Sequence, residues 1–124
     1  MAGPLAVLTI DGPVAIITLV LPGGLLDRAA SEALAQVARA ASEAVEVRVV
    51  IVRGAGEDFG AGWSASALAE AEGVPGLPPL SVGVDALAAV PQPVIAAIER
   101  RAYSAGLEVA LACDIRVASP DSTF

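Results

Sequence analysis

The stretch that decides the fold is Pro93–Phe124, which reads PVIAAIERRAYSAGLEVALACDIRVASPDSTF. It begins with a run typical of a β-strand, Val94–Ile98, and passes through a small-residue turn, Ser104-Ala105-Gly106, into a predicted helix. One carboxylate, Glu108, lies in the first turn of that helix. Because the first N–H groups of a helix have no intrahelical acceptor, they can bind developing negative charge. An acid or base at this position would stand beside that charge.

The first fifth of the chain predicts a β-hairpin. Leu5–Ile10 and Val14–Leu21 are two β-type runs, and the turn-forming cluster Asp11-Gly12-Pro13 separates them. Pro22-Gly23-Gly24 then ends the second run.

An amphipathic helix is predicted next, from about Ala29 to Val45. Its apolar residues recur at helical spacing, and its polar residues fall on the other side. The apolar set is Ala30, Leu34, Val37, Ala41 and Val45, and the polar set is Glu32, Gln36, Arg39 and Glu43. The β-branched run Val47–Val52 suits a buried parallel strand, which Gly54-Ala55-Gly56 closes.

The middle of the chain predicts two short helices separated by a loop. Ser66–Glu72 is the first helix, Gly73–Ser81 is a loop rich in Pro and Gly, and the second helix lies near Val84–Ala89. Asp114–Ala118 is the last predicted strand. Because strands and helices alternate, the pattern predicts an α/β fold with right-handed crossovers.

Composition narrows the class of protein. A chain of 124 residues with 56% hydrophobic residues is long enough for one domain with its own core. The net charge of −7 argues against an electrostatic nucleic-acid binder. The chain has no His and one Cys, Cys113, which excludes an internal disulfide, imidazole catalysis and a His- or thiolate-based metal site.

No segment predicts a membrane anchor or an export signal. The longest uncharged apolar run, Val14–Leu21, is too short to cross a bilayer, and the N-terminus lacks the positive flank of a secretory signal. We therefore expect a soluble, cytoplasmic protein.

A second block, Ile51–Glu70 (IVRGAGEDFGAGWSASALAE), adds a strand, a G-x-G turn, a Phe and an Ala-Gly pair. Together with PVIAAIERRAYSAGLEVALACDIRVAS it closely resembles the two hallmarks of the enoyl-CoA hydratase/isomerase (crotonase) family, in the family's order and near its spacing. The resemblance covers the chain loosely from the hairpin onward and corresponds to the first half of a family member. It implies a crotonase-like spiral of ββα units that is incomplete, with residues 1–124 as one partial domain.

The resemblance also implies a site. The backbone N–H groups of Trp63 and Ala105 would form an oxyanion hole that stabilises a thioester enolate. Coenzyme A would contact the backbone around Ala61, Gly62, Trp63 and Gly106, with the acyl-CoA thioester as substrate and no further cofactor. Without the resemblance, Gly54, Gly56, Gly60 and Gly62 need only permit turns and close packing.

Two positions depart from the family pattern. Ser64 stands where members often have Asp, and Ser104-Ala105-Gly106 stands where Gly-Gly-Gly is usual. The methyl group of Ala105 is tolerated only if φ of Ala105 is negative. Trp63 is also bulky enough to narrow the acyl pocket.

Glu108 matches the catalytic Glu of the family, which implies a role as acid or base. An unpaired carboxylate on an otherwise apolar helix would be costly to bury without a function or a hydrogen bond. The alternative is a solvated Glu favoured by the helix dipole. We interpret Asp114 as structural, capping or bridging the helix end, and Arg100-Arg101 as solvated surface charge, with contact to a cofactor phosphate as the alternative.

Three functions remain open on the sequence. The first is an acyl-CoA hydratase or isomerase that uses Glu108, and the second is a catalytically silent crotonase-like module that binds an acyl thioester or a subunit. The third, an α/β binding domain unrelated to CoA, requires both motif matches to be accidental. Hydratases of the family use a second Glu that would lie beyond Phe124, as would the helices through which members form trimers or hexamers. We therefore expect a fragment or one piece of a split protein, and expect residues 1–124 alone to be inactive.

Overall fold

Seven strands and four helices make up the computed structural model, which describes residues 3–56, 58–70, 76 and 79–124. The strands are β1 (Ala6–Asp11), β2 (Val14–Leu19), β3 (Leu25–Leu26), β4 (Val49–Gly54), β5 (Gly62–Trp63), β6 (Val94–Ile98) and β7 (Ile115–Ala118). The helices are α1 (Arg28–Glu43), α2 (Ala65–Glu70), α3 (Val82–Ala88) and α4 (Ala105–Ala112), and a short 3-10 helix covers Pro22–Gly24.

Five strands form one sheet in the order β1-β2-β4-β6-β7. The β1–β2 pair is antiparallel, and the other neighbours are parallel. The short strands β3 and β5 form a separate parallel pair. The predicted α/β fold is therefore confirmed.

The N-terminal hairpin forms as predicted, with Asp11 paired to Val14 across the turn. The second strand ends at Leu19 rather than Leu21. Pro22 has no N–H to donate to a sheet and instead begins the 3-10 helix, which accounts for the earlier end.

Helix α1 begins at an N-cap, where the Asp27 carboxylate accepts a hydrogen bond from the Ala30 N–H at 2.8 Å. The helix ends at Glu43, because Ala44 adopts an extended conformation. The prediction that Val45 belongs to the apolar face was wrong, since Val45 lies beyond the helix and is 98% exposed. Val37 is only half-buried, and the buried face consists of Ala30, Ser31, Leu34, Ala35, Ala38 and Ala41.

Ser31 is a buried polar residue that joins α1 to α3. Its hydroxyl donates to the Leu80 carbonyl and accepts from the Gly83 N–H at 2.9 Å. These two hydrogen bonds satisfy the Ser31 hydroxyl, which would be costly to bury without a partner. They therefore fix α3 against α1.

The later elements differ from the prediction mainly at their ends. Helix α2 covers Ala65–Glu70, and residues 71–75 and 77–78 of the predicted helix end and loop lie outside the described residues. Helix α3 begins two residues before the predicted Val84. Strand β4 runs to Gly54, which pairs with Leu19 and is therefore part of the strand rather than its closing turn.

Strand β7 lies at the edge of the sheet, next to β6. All four of its residues are exposed, and Ile115 and Val117, at 51% and 59% exposure, share one face because side chains alternate along a strand. Strand β6 is buried at alternate positions between its two neighbours. The edge of the sheet that β7 forms therefore presents apolar side chains to solvent.

Candidate active site

The two sequence blocks lie side by side in the structure. Beyond β4 the chain runs parallel to the segment that follows β6, and the Phe59 N–H donates to the Glu99 carbonyl at 3.0 Å. The Gly60 N–H donates to the Arg101 carbonyl at 3.0 Å, and the Gly60 carbonyl accepts from the Tyr103 N–H at 2.8 Å. These bonds bring the turn before β5 against the turn before α4.

Strand β5 fixes the backbone of Trp63. Trp63 pairs with Leu26, and the Ser64 N–H donates to the Leu26 carbonyl at 2.7 Å. Because successive N–H groups of a strand point to opposite edges, the Trp63 N–H points away from β3. The Ala61 N–H already donates to the Gly24 carbonyl at 2.7 Å, so this group is not available to a ligand.

Ser64 has a structural role where the family pattern often has Asp. Its hydroxyl accepts from the Ala67 N–H at 3.1 Å, and its carbonyl accepts from the Leu68 N–H at 3.1 Å. This is the arrangement of an N-cap. Ser64 therefore begins α2 directly after the predicted oxyanion residue.

Ala105 is the first residue of α4 and is fully buried. The positive φ that the sequence raised as a concern falls on its neighbour, Ser104, which has φ 47° and ψ −111°. At its position in the helix, the Ala105 N–H has no intrahelical acceptor. Gly106, also buried, packs its backbone against Gly60.

The Glu108 side chain meets the Trp63 side chain. The indole Nε1–H of Trp63 donates to Glu108 Oε2 at 2.9 Å. Glu108 is exposed, so the cost of burying its carboxylate does not arise, and its position agrees with the alternative of a solvated Glu. The reason is that α4 turns one side outward, where Leu111 is also 62% exposed.

The sequence did not predict this contact between side chains. The resemblance placed the backbone of Trp63 in the site and the carboxylate of Glu108 beside it, but gave the indole no role other than bulk. The two residues are 45 positions apart. No local pattern links residues at such a distance, and the only available signal was that both lie in the matched blocks.

Arg101 is exposed, as predicted, but it forms an ion pair that the sequence did not predict. Its guanidinium makes a two-pronged contact with Asp58, through Nε to Oδ1 at 3.0 Å and Nη2 to Oδ2 at 2.7 Å. The Arg101 backbone N–H also donates to Asp58 Oδ1 at 3.1 Å. The side-chain hydrogen bonds to Arg101 hold the pKa of Asp58 below its usual value.

This ion pair lines a cavity of about 270 Å³ at the end of β2. Leu19, Leu21, Gly23, Gly24 and Gly56 complete its lining. Among the described residues, its lining does not include Glu108 or Trp63. The cavity is therefore separate from the contact between these two side chains.

Asp114 is structural, as predicted, but it joins strands instead of capping the helix. Its Oδ2 accepts from the Val94 N–H, and its own N–H donates to the Val94 carbonyl, both at 2.8 Å. These two bonds tie the start of β7 to the start of β6.

Two further findings concern only the part of the chain that the structure describes. None of its helices combines the length and the apolar character that a membrane span requires. In the same residues, no three side chains of the His, Cys, Asp or Glu type come together as a metal site.

Comparisons with known proteins identify the family to which this chain belongs. A family model described as enoyl-CoA hydratase/isomerase matches residues 9–124. A probable enoyl-CoA hydratase of Mycobacterium tuberculosis is 37% identical over 123 residues, covering 94% of this chain and 48% of the relative. The crystal structure of an enoyl-CoA hydratase/carnithine racemase from Magnetospirillum magneticum matches with a TM-score of 0.83 and 28% identity, covering 98% of this chain and 48% of that chain.

A further solved structure carries a ligand. A putative enoyl-CoA hydratase from Thermobifida fusca, in complex with acetoacetyl-CoA, matches with a TM-score of 0.77 and 29% identity over 96% of this chain and 52% of that chain. The fold is thus an incomplete crotonase fold. The chain belongs to the enoyl-CoA hydratase/isomerase family, and it spans about half the length of the relatives it matches.

Proposed function

We propose that this chain supplies the enolate-stabilising half of an acyl-CoA hydratase or isomerase, with Glu108 as the acid/base group. The observation that carries the proposal is the hydrogen bond from Trp63 Nε1 to Glu108 Oε2. It holds the carboxylate beside the residue whose backbone N–H is our first oxyanion donor. Membership of the family supports the same reading.

The proposed oxyanion hole consists of the backbone N–H groups of Trp63 and Ala105. The Trp63 N–H points away from β3. The Ala105 N–H lies at the start of α4, where the N–H groups of a helix have no intrahelical acceptor. Two donors on one thioester oxygen stabilise the enolate that forms when a proton leaves Cα or a nucleophile adds at Cβ. Both donors are backbone groups, so side-chain changes at these positions leave them in place.

Glu108 carries the proton in this proposal. When the C–H bond at Cα breaks, the proton moves to the carboxylate and the electron pair moves into the enolate, and the reverse step returns the proton. Glu108 is exposed on the described surface, so a substrate can reach it.

Coenzyme A is the part of the substrate that we propose the protein backbone binds. We assign its binding to the backbone around Ala61, Gly62, Trp63 and Gly106. At Ala61 the candidate contact is the carbonyl, because the Ala61 N–H already donates to the Gly24 carbonyl. The Thermobifida fusca relative, described in complex with acetoacetyl-CoA, supports this class of ligand. Isothermal calorimetry of a full-length enzyme containing residues 1–124 should give heat with at least one of several acyl-CoAs, and no heat with any of them would contradict the assignment.

A catalytically silent module that binds acyl-CoA or another subunit is the second candidate. The observation that favours it is the strained backbone of Ser104, directly before the proposed second donor. Such strain could misalign the Ala105 N–H without preventing ligand binding. The two candidates differ in turnover and not in affinity.

Turnover of an enoyl-CoA, measured with and without the replacement of Glu108 by Gln, separates them. Glu108→Gln keeps the size of the side chain and removes proton transfer, so in the full-length enzyme turnover of an enoyl-CoA should fall by about 10²–10⁴ while acyl-CoA affinity barely changes. Glu43→Gln, at an exposed carboxylate on α1, is the matched control and should leave turnover unchanged. Unchanged turnover in Glu108→Gln would reject the acid/base role, whereas acyl-CoA binding without turnover in the unchanged full-length protein would favour the silent module.

A further inference from the structure

We propose that the indole of Trp63 is the positioning group for Glu108, holding Oε2 so that Oε1 faces the substrate and carries the proton. This inference rests on the proposed acid/base role of Glu108. It assigns to the Trp63 side chain a task separate from that of its backbone N–H. One residue would then set both the oxyanion donor and the orientation of the carboxylate.

The geometry of the contact supports a directed hydrogen bond. The indole Nε1–H can only donate, and the Nε1–Oε2 distance of 2.9 Å lies in the range of a charge-assisted hydrogen bond to a carboxylate. Because one oxygen accepts from the indole, the carboxylate can rotate only by breaking that bond. The other oxygen is then fixed in direction.

Glu108 needs such a partner because it is exposed. A long, solvent-exposed Glu side chain samples several rotamers, and fixing it costs conformational entropy. Proton transfer requires the carboxylate to lie within hydrogen-bond reach of the reacting group. A donor that selects one rotamer before the substrate arrives lowers that cost.

Trp63 can hold Glu108 in one rotamer because its own backbone and side chain are both fixed. Its backbone pairs with Leu26 in the β3–β5 ladder, and the next N–H, that of Ser64, donates to Leu26 as well. Its half-buried side chain packs against the hydrophobic core. An aromatic side chain with two rotatable bonds loses little entropy in such a position.

The first experiment asks whether the bond exists in solution. Trp63 is the only tryptophan, so residues 1–124 give one indole cross-peak in a ¹H–¹⁵N NMR spectrum. We expect the indole proton to lie downfield and to exchange more slowly than in Glu108→Ala, while Glu43→Ala leaves both unchanged. An indole signal that is identical in the unchanged chain and in Glu108→Ala would overturn the proposal.

The second experiment asks whether the bond positions the carboxylate. Trp63→Phe keeps an aromatic ring and the backbone N–H but removes the indole donor. In the full-length enzyme we expect kcat to fall by about three- to thirtyfold, with KM for the acyl-CoA changed less than about twofold. In a Glu108→Gln background, Trp63→Phe should add little, because both changes act through one carboxylate.

The outcomes separate this inference from the function on which it rests. If Glu108→Gln lowers turnover and Trp63→Phe does not, the acid/base role stands and the positioning role is rejected. If Glu108→Gln has no effect, the proposed function fails and the hydrogen bond is only a surface contact. A Trp63→Phe enzyme with raised KM and unchanged kcat would show that the ring is a wall of the acyl pocket, which also rejects the positioning role.

Discussion

Gly60 and Gly106 touch backbone to backbone. A Cβ placed on Gly60 would lie 2.8 Å from the Cα of Gly106, and a Cβ placed on Gly106 would overlap the carbonyl of Gly60. Real Cβ atoms do not approach backbone so closely, so both positions require glycine. This contact sets the distance between β5, which carries Trp63, and α4, which carries Glu108.

Gly106→Ala should therefore destabilise the fold by about 3 kcal/mol, since overpacking against backbone cannot be relieved by a rotamer change. The matched control is Gly56→Ala, because a Cβ on Gly56 would meet no heavy atom within 4 Å. That control should stay within about 0.5 kcal/mol of the unchanged chain. Urea unfolding of the three proteins measures both values, and equal stability of Gly106→Ala and Gly56→Ala would contradict the close approach.

Ser104→Gly should stabilise the fold by about 1 kcal/mol, because Ser104 adopts a positive φ that glycine tolerates without strain. From the sequence alone, Ala105→Gly is the change expected to relieve strain. Ala105 is the buried first residue of α4 and does not have a positive φ, so that change should instead cost about 0.5–1 kcal/mol. Thermal unfolding of the two variants should give shifts of opposite sign, and a loss of stability in Ser104→Gly would refute the assignment of strain.

Alkaline pH should destabilise the fold through Cys113. Burial raises the pKa of the Cys113 thiol from its ordinary value of 9.0 to about 12. In the unfolded chain the thiol loses its proton as pH rises through 9, while in the folded chain it keeps the proton until about 12. Below pH 9 the contribution is therefore fully present, and above it the free energy of unfolding should fall by about 1 kcal/mol per pH unit.

Few other side chains in the sequence titrate in the alkaline range in which Cys113 should lower the free energy of unfolding. All seven basic residues are arginine, so no lysine titrates in the same range, and the chain has one tyrosine. Urea unfolding of the unchanged chain and of Cys113→Ala between pH 8 and pH 11 measures the slope. The slope should be shallower in Cys113→Ala, and parallel slopes would reject the thiol as its source.

Residues 1–124 should self-associate, because the edge strand β7 exposes Ile115 and Val117 on one face. The double variant Ile115→Lys, Val117→Lys should reduce the association seen in sedimentation velocity, since charges on an edge strand oppose pairing. Val45→Lys is the control, because Val45 is highly exposed but lies outside every strand. A monodisperse monomer of the unchanged chain would show that the exposed face does not drive association.

The sequence predicted the elements whose pattern is local. Strand β6 matches residue for residue. Helix α1 begins at Arg28, next to the predicted Ala29, but it ends at Glu43, although the apolar spacing continues to Val45. Strands β3 and β5 were not predicted, because two-residue strands exist only through pairing with each other. Periodicity cannot indicate a pairing between distant segments.

At the candidate site, too, the sequence missed the features that depend on contacts between distant segments. The family resemblance named Trp63, Ala105 and Glu108, and the structure brings the side chains of Trp63 and Glu108 together. The Asp58–Arg101 ion pair and the strained Ser104 depend on tertiary geometry, so neither could be predicted from spacing. The family resemblance therefore indicated which residues belong to the candidate site, but not the side-chain contacts that they make.

The indole at the candidate site also gives the molecule an optical property. Trp63 is the only source of tryptophan emission in the chain, and its ring nitrogen lies against an anionic oxygen. The colour and yield of that emission depend on the polarity and hydrogen bonding around one ring, which here is the ring beside Glu108. The protein thus carries an intrinsic fluorophore at the position where an acyl thioester is proposed to dock, and light alone can follow that site without a label.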